Sequence, residues 1–334
     1  MTTIAFVGCA HIHTPGFVRL VNSREDVCCK SVWDHDDARA EKRAGELNAE
    51  VAADFADIYA DPEIDAVLVC TETHLHSSVV LPGAAAKKNL FVEKPLGVTG
   101  EDGWEMAAAI EAAGVIYGTG LFMRGYPTHL FIKQQIEAGA FGKITRARGS
   151  NCHSGALGHW FDTDWRWMAD PKQSGVGGFG DLGAHMLDIL LWLLGDVTEV
   201  TAQVDEGTGI YPGCDETGEG LLRFQSGAIG TLAAGWDDLA DPMTLMVSGT
   251  EGHAAVINRE LFFKSEHIEG ADGKTPWTDL PAAVPASLGA FLDAVGGGPT
   301  DSLVTVREAA YRGAVMAALY AGAAANSWVT PGTP

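Results

Sequence analysis

Basic residues are scarce in this 334-residue chain: 22 lysines and arginines stand against 44 aspartates and glutamates, a formal charge of −22. Up to Phe122 the count is nine against nineteen, and beyond it thirteen against twenty-five. Neither half is basic, which argues against nucleic acid or an anionic membrane as partner. Long apolar runs are lacking too. Ile189–Leu194 falls far short of the roughly 18 residues that a membrane span requires, and no basic leader precedes the first apolar run. Cysteines number six (Cys9, Cys28, Cys29, Cys70, Cys152 and Cys214), with no C-x-x-C pair among them. Several fall inside apolar runs. They read as reduced core thiols of a soluble, cytoplasmic protein, not as a disulfide frame or a zinc site.

What is present is an ordinary balance of 46% hydrophobic and 20% charged residues, enough to bury a sizeable core and to exclude disorder as a whole. The length exceeds the roughly 100–200 residues of one domain, so two are expected. In the first third, apolar runs alternate with helical stretches. Strands are expected at Ile4–Val7, Cys28–Trp33, Asp65–Cys70, Asn89–Val92 and Val115–Thr119, and helices from Pro15 and over Ala38–Asn48, Ser78–Lys87 and Glu101–Ala113. That alternation predicts right-handed crossovers and a parallel sheet, which binds ligands at the carboxyl ends of its strands. After Phe122 the rhythm changes. Helices are expected over Thr128–Ala138 and Asp181–Leu194, then runs at Val197–Val204, Gly220–Phe224, Ala228–Gly235, Thr244–Ser248, Ala254–Ile257 and Leu261–Lys264 follow at hairpin spacing. With Lys143–His153 they predict an open, mainly antiparallel sheet with helices on one face, closed by helices over Ala286–Val295 and Thr305–Asn326. The expected fold class is therefore α/β: a dinucleotide-binding domain over residues 1–122, then an α+β domain over 123–334.

Gly8-Cys9-Ala10-His11-Ile12-His13 stands where a phosphate-binding glycine loop belongs, directly after the first strand. Ala10 replaces the second glycine and His13 the third. Thr14-Pro15 reads as an N-cap followed by proline at the first helical position, aiming free N–H groups at an anion. Asp34 ends the second strand, where an acid accepts hydrogen bonds from an adenosine ribose and repels a 2′-phosphate. With no arginine before Arg39, NAD is favoured over NADP. A helix-capping role for Asp34 is the alternative.

Two further motifs carry chemistry. In Glu93-Lys94-Pro95 the proline keeps Lys94 out of helical geometry, so the lysine projects from a strand's carboxyl end into the ligand crevice, where it can stabilise an alkoxide. In Asp181-Leu-Gly-Ala-His185 a spacing of four puts both side chains on one helix face within mutual reach. An Asp–His pair fixes an imidazole for general acid–base work near neutrality, although a cap plus a core histidine would give the same letters. His11, His74, His129, His159, His253 and His267 show no ligand spacing, and no metal site is expected.

Together with Asp61–Val67, Thr71–His76 and Gly177–Asp188, these motifs resemble, in content and order, the glucose–fructose oxidoreductase/inositol dehydrogenase family over essentially the whole chain. The resemblance implies a Rossmann domain, an NAD cofactor and reversible oxidation of a secondary hydroxyl of a sugar, sugar derivative or inositol-like polyol. It makes Lys94, Asp181 and His185 the catalytic set, with either Lys94 or His185 as proton acceptor. Gly8, Ala10, His11, Ile12, His13, Asp34, Thr71, Thr73, His76, Glu93 and Arg166 would line the cofactor. Arg124, Asn151 and His153 would join the catalytic set around the substrate. It also implies a homo-oligomer, dimer or tetramer. Relatives of this fold include NAD-dependent glycoside hydrolases and sugar-sensing regulators, which are the rival functions. The chain departs from the family at Glu72, where members usually carry proline and where a carboxylate alters contacts near the nicotinamide ribose, and at His13.

Overall fold

The computed structural model describes residues 1–333, and its first 119 residues build a six-stranded parallel sheet. Strands β1 (Thr2–Val7), β2 (Val27–Trp33), β3 (Glu50–Val51), β4 (Ala66–Val69), β5 (Asn89–Val92) and β6 (Tyr117–Thr119) lie in the order β3-β2-β1-β4-β5-β6. Ile4–Val7 and Ala66–Val69 are wholly buried, as continuous apolar strands covered on both faces must be. The covering helices are α1 (Thr14–Asn22), α2 (Asp37–Leu47), α3 (Phe55–Ala60), α4 (His76–Ala85) and α5 (Gly100–Ala113). Asp36 caps α2, and Thr99 with Asp102 forms a capping box on α5. The order of strands reverses between β1 and β4, which opens a crevice beyond their carboxyl ends.

Helix α6 (Pro127–Glu137) carries the chain to β7 (Ile144–Cys152), and α7 (Pro171–Ser174) and α8 (Gly178–Leu194) follow. Then come β8 (Val197–Asp205), β9 (Thr217–Phe224), β10 (Ile229–Gly235), β11 (Met243–Gly249), β12 (Gly252–Ile257), β13 (Glu260–Ser265) and β14 (Asp272–Pro276). They form an eight-stranded sheet in the order β14-β13-β12-β11-β7-β10-β9-β8, antiparallel except between β7 and β10. Helix α8 is apolar nearly all round and buried from Gly178 through Leu191. Such a helix must be covered on every side. The sheet meets it below: at Gly149 a Cβ would stand 2.4 Å from Met186 Cγ. Its N-terminus is held by distant groups, since Gly177 has no side chain to cap it. Asp215 Oδ2 accepts from the Phe179 N–H, and the Tyr320 hydroxyl accepts from those of Gly177 and Gly180.

The chain closes with α9 (Leu288–Val295) and α10 (Val306–Ala325), and α9 returns across the division expected after Phe122. Leu288, Phe291 and Leu292 belong to the core of the first sheet, where the Phe291 ring lies 5.7 Å from Phe91. Gly118 makes room for it, since a Cβ there would sit 2.8 Å from Phe291 Cβ. Helix α10 packs against both α5 and β8 and so belongs to both halves. Four short elements, β3, α3, α7 and β14, had no visible pattern, being too short or too polar for periodicity to show. Truncating the returning helix at its anchor, Phe291→Ala, should cost about 3–5 kcal/mol of stability, the usual price of an emptied aromatic site. A urea midpoint unchanged in this variant would show that α9 contributes nothing to the first domain.

Candidate active site

Four elements converge beyond the carboxyl end of the parallel sheet: the start of α1, the end of β5, the first turns of α8 and the end of β7. They enclose a cavity of about 270 Å³ lined by Ile12, His13, Lys94, Phe122, Met123, Asn151, His153, Trp160, Phe161, Met168, Asp181, Leu182 and His185. Lys94 lies at its base, 4% exposed, and donates from Nζ to the Asp181 carbonyl oxygen at 3.2 Å and to Asp181 Oδ1. Asp181 Oδ2 accepts from Trp236 Nε1 at 3.1 Å. Burial alone would raise the Asp181 carboxyl, but the Lys94 ammonium outweighs it and holds the acid well below its usual range. Asp181 is therefore held as the carboxylate.

His185 shares this face, yet the expected Asp181–His185 hydrogen bond is not formed. Both Asp181 oxygens are taken by Lys94 and Trp236, and His185 Nδ1 is buried without a partner. Burial, then the positive charge of Lys94, depresses the His185 pKa well below the ordinary histidine value. Both effects favour the neutral ring. Asn151 donates to the Leu182 carbonyl at 2.9 Å, leaving its own oxygen for the cavity. His153 Nδ1 accepts from the Gly155 N–H at 3.0 Å, and its ring lies against Trp160 with centroids 4.7 Å apart.

Glu93 is fully buried and faces the histidines of the glycine loop. His13 Nδ1 lies 3.0 Å from Glu93 Oε1, and Glu93 Oε2 accepts from the Lys94 N–H at 2.9 Å. Both Glu93 oxygens, for which the cofactor ribose was the expected partner, are thus engaged within the protein. Burial pushes the Glu93 carboxyl up, but His11, His13 and Lys94 pull it well below its usual range. His11 is sealed beside it, brought down to about 3 mainly by burial. His11, His13 and Glu93 each bring a donor atom within 4.8 Å of the others, a grouping that sequence spacing did not indicate. These atoms are already engaged with one another: His11 Nδ1 accepts from the His13 N–H, and the carboxylate holds the His13 ring.

A second cavity of about 590 Å³ runs from the glycine loop to α2, lined by Cys9, Ala10, Pro15, Asp36, Arg39, Lys42, Arg43 and Trp165 among others. Gly8 turns there with φ 81°, and a Cβ on it would collide with Thr71 at 2.2 Å. With α1 free of acids in its first turn, a tight backbone turn and helix N–H groups fit a dinucleotide diphosphate. The helix opens one residue earlier than expected, with His13 at the N-cap position in place of Thr14. Asp34 is not free for a ribose. Its carboxylate accepts from Cys9 N, Asp36 N and both Arg39 Nε and Nη2, filling its roughly four acceptor positions. Arg39 was expected to lie too far along the chain to matter. One turn of α2 brings it back over Asp34, and Glu72 Oε1 grips it from the other side at 3.1 Å. Glu72, expected to alter contacts near the nicotinamide ribose, here pairs with Arg39 beside Asp34.

Other expected contacts fall elsewhere. Arg124 is bidentate to Asp188 and reaches Glu308, tying α8 to α10 away from the substrate cavity. Arg166 is exposed, pairs with Asp162 and lies over the Tyr211 ring. Its neighbours face the crevice instead: Trp165 lines the dinucleotide cavity, and Trp167 Nε1 donates to the Ala10 carbonyl at 3.1 Å. Thr73 and His76 are buried, and His76 Nδ1 bonds the Leu96 carbonyl, steadying the loop after Lys94. Thr71 lines a separate cavity of about 400 Å³ beside Glu72. Trp236, which fixes Asp181, carried no sequence signal.

A Rossmann sheet with a diphosphate crevice, joined to a sheet domain that completes a lysine-centred cavity, defines a two-domain nucleotide-dependent oxidoreductase. Residues 2–121 match the oxidoreductase family model with an NAD-binding Rossmann fold, and residues 129–255 match the GFO/IDH/MocA C-terminal domain. The chain belongs to that family and binds NAD. It is 31% identical to scyllo-inositol 2-dehydrogenase (NAD(+)) of Bacillus subtilis over 250 residues, covering 72% of this chain and 69% of that one. It is 28% identical to levoglucosan dehydrogenase of Pseudarthrobacter phenanthrenivorans, covering 72% and 68%. Among solved structures, an NAD binding oxidoreductase from Klebsiella pneumoniae superposes with a TM-score of 0.79 at 25% identity over the full length of both chains. No helix among the described residues is long and apolar enough to cross a membrane.

Two expectations follow. Removing the cation that neutralises Asp34, by Arg39→Ala, should raise the NAD-over-NADP ratio of kcat/KM about tenfold, the worth of one added charge contact near 1.4 kcal/mol. An unchanged ratio would leave Arg39 with a structural role alone. The second concerns acid. His11, His76, His129 and His185 are held neutral chiefly by burial, so each has a folded pKa below its unfolded one. Below about pH 6.5 the unfolded chain binds protons that the folded chain refuses, and stability falls as pH falls, by up to about 1.4 kcal/mol per pH unit for each ring. Urea midpoints measured from pH 7 to pH 5 should drop steeply. A flat profile would mean that these rings are not buried neutral.

Proposed function

We propose that the protein oxidises a secondary hydroxyl of a sugar, sugar derivative or cyclic polyol to the ketone, reversibly and with NAD. The observation that carries this reading is the buried Lys94–Asp181 pair at the base of a cavity whose walls mix polar Asn151 and His153 with aromatic Phe122, Trp160 and Phe161. A sugar ring presents hydroxyls at its rim and apolar C–H faces, and such walls match both. Lys94, hydrogen-bonded to Asp181, donates to the reacting oxygen as negative charge grows on it. Asn151, His153 and the neutral His185 orient the remaining hydroxyls. Gly8, Ala10, Ile12 and the α1 N-terminus carry the dinucleotide, which when bound supplies the hydride acceptor. Relatives named for inositols and levoglucosan support the substrate class. The outer face of the second sheet is assigned to assembly with further copies of the chain.

The test is a panel of inositols, anhydrosugars and pyranosides scored by NADH absorbance, run on wild type and Lys94→Ala. At least one substrate should be oxidised, and the variant should lose on the order of 10²–10⁴ in kcat/KM while its NADH affinity changes less than about threefold. Glycoside cleavage without net NADH would replace this reading by the hydrolase. Tight sugar binding without turnover would replace it by the regulator.

A further inference from the structure

Two polar atoms beside the glycine loop are sealed from solvent and bonded to nothing. Glu72 Oε1 accepts from Arg39 at 3.1 Å and lies 3.6 Å from His35 Nε2, too far for a hydrogen bond. The other oxygen of this carboxylate, Oε2, has no partner, and neither has the hydroxyl of Thr71, one residue earlier. Both side chains are more than nine-tenths buried. An orphaned acceptor at low dielectric costs free energy until a donor reaches it. Both residues line the cavity of about 400 Å³ whose other walls include Trp33, Phe55, Leu75 and Val79. The Trp33 and Phe55 rings meet edge to face, with centroids 5.0 Å apart. Apolar walls with an acceptor and a hydroxyl side by side suit a flat heteroaromatic ring that carries an amine next to a ring nitrogen.

The sheet order sets this cavity along the path of the dinucleotide. Gly8, in the loop that fits the diphosphate, packs directly on Thr71. Lys94 follows β5 on one side of β1, and Trp33 and His35 end β2 on the other. A dinucleotide that crosses β1 with its nicotinamide toward Lys94 must lay its adenosine toward β2. There the wall along α2 carries Arg39, Lys42 and Arg43, which suit phosphate and ribose, whereas the Trp33–Phe55 cavity has the apolar walls of a base site. We infer that Glu72 recognises the adenine base of NAD, its unpaired carboxylate oxygen accepting a hydrogen bond from the exocyclic amine. The last torsion of a glutamate is soft, so the carboxylate can turn this oxygen to the cavity while Arg39 keeps its hold. A proline, usual at this position in the family, offers no side-chain acceptor. Hypoxanthine carries a carbonyl oxygen in place of the amine, so two acceptors would face each other and Glu72 would discriminate against it. The inference follows from NAD binding and is independent of which hydroxyl is oxidised.

Titration calorimetry on the full-length protein reads this contact without turnover. The ligands are NAD, its hypoxanthine analogue, and an etheno-bridged adenine analogue in which the amine is blocked. Wild type should bind both analogues about 10–100-fold more weakly than NAD, the usual worth of one hydrogen bond to a charged group. In Glu72→Gln the amide can accept from adenine or donate to the hypoxanthine carbonyl. NAD and the hypoxanthine analogue should then bind within about threefold of each other, the analogue more tightly than to wild type, while the etheno analogue stays weak. A gain in affinity for one ligand cannot come from misfolding, so this swap stays informative even in a less stable variant. Equal affinity of wild type for NAD and the hypoxanthine analogue would overturn the inference. So would an undiminished gap between the two in Glu72→Gln, because another group would then be reading the amine. Weak binding confined to the etheno analogue would also overturn it, by showing a cavity that sorts bases by size.

Discussion

The buried ion pair between Lys94 and Asp181 is the contact on which the site depends, because its partners lie 87 residues apart on different domains. Taking a lysine and an aspartate out of water costs several kcal/mol per ion, and their attraction offsets this only when the remaining polar atoms are also satisfied. Here they are. The Asp181 carbonyl takes a second Lys94 proton, and the Trp236 indole takes the other carboxylate oxygen. The pair positions the first turns of α8 over the crevice, and with it the walls of the cavity.

Charge pairing of the same kind recurs at each corner of the cleft. Asp34, Arg39 and Glu72 form a chain at the adenosine end, and Glu93 faces two histidines behind the glycine loop. Arg124 and Arg312 hold Asp188 and Glu308 where α8 meets α10. The strongly acidic surface conceals an interior in which Asp34, Glu72, Glu93, Asp181 and Asp188 are met by cations or ring nitrogens. A substitution that removes one partner leaves the other uncompensated at low dielectric, so these clusters are harder to alter than their polarity suggests.

The sheets were legible because local pattern and tertiary demand coincide in them. Asn89–Val92 is an apolar run that can only be a buried strand, and hairpin spacing marks the second sheet. The glycine loop, Lys94 and the helix bearing Asp181 and His185 were readable for the same reason: each sits at a fixed place relative to a strand or a turn. Pairing was less legible. Spacing puts Asp181 and His185 on one face but says nothing of Lys94 and Trp236 arriving from elsewhere. Arg124 and Arg166 sit in positions that suit a ligand, and nearby carboxylates claim both. Helix α9 looks like part of the second domain because sequence order and spatial order diverge only there.

That divergence bears on how the molecule moves. The polypeptide passes from the first sheet to the second after β6, returns to the first through α9, and leaves again into α10, which touches both. Two bodies joined by one strand of chain can swing as a hinge, whereas three crossings and a shared helix act as struts. Rigid-body opening is thereby opposed, and the Trp167 indole, donating to the Ala10 carbonyl, adds one more tie across the crevice.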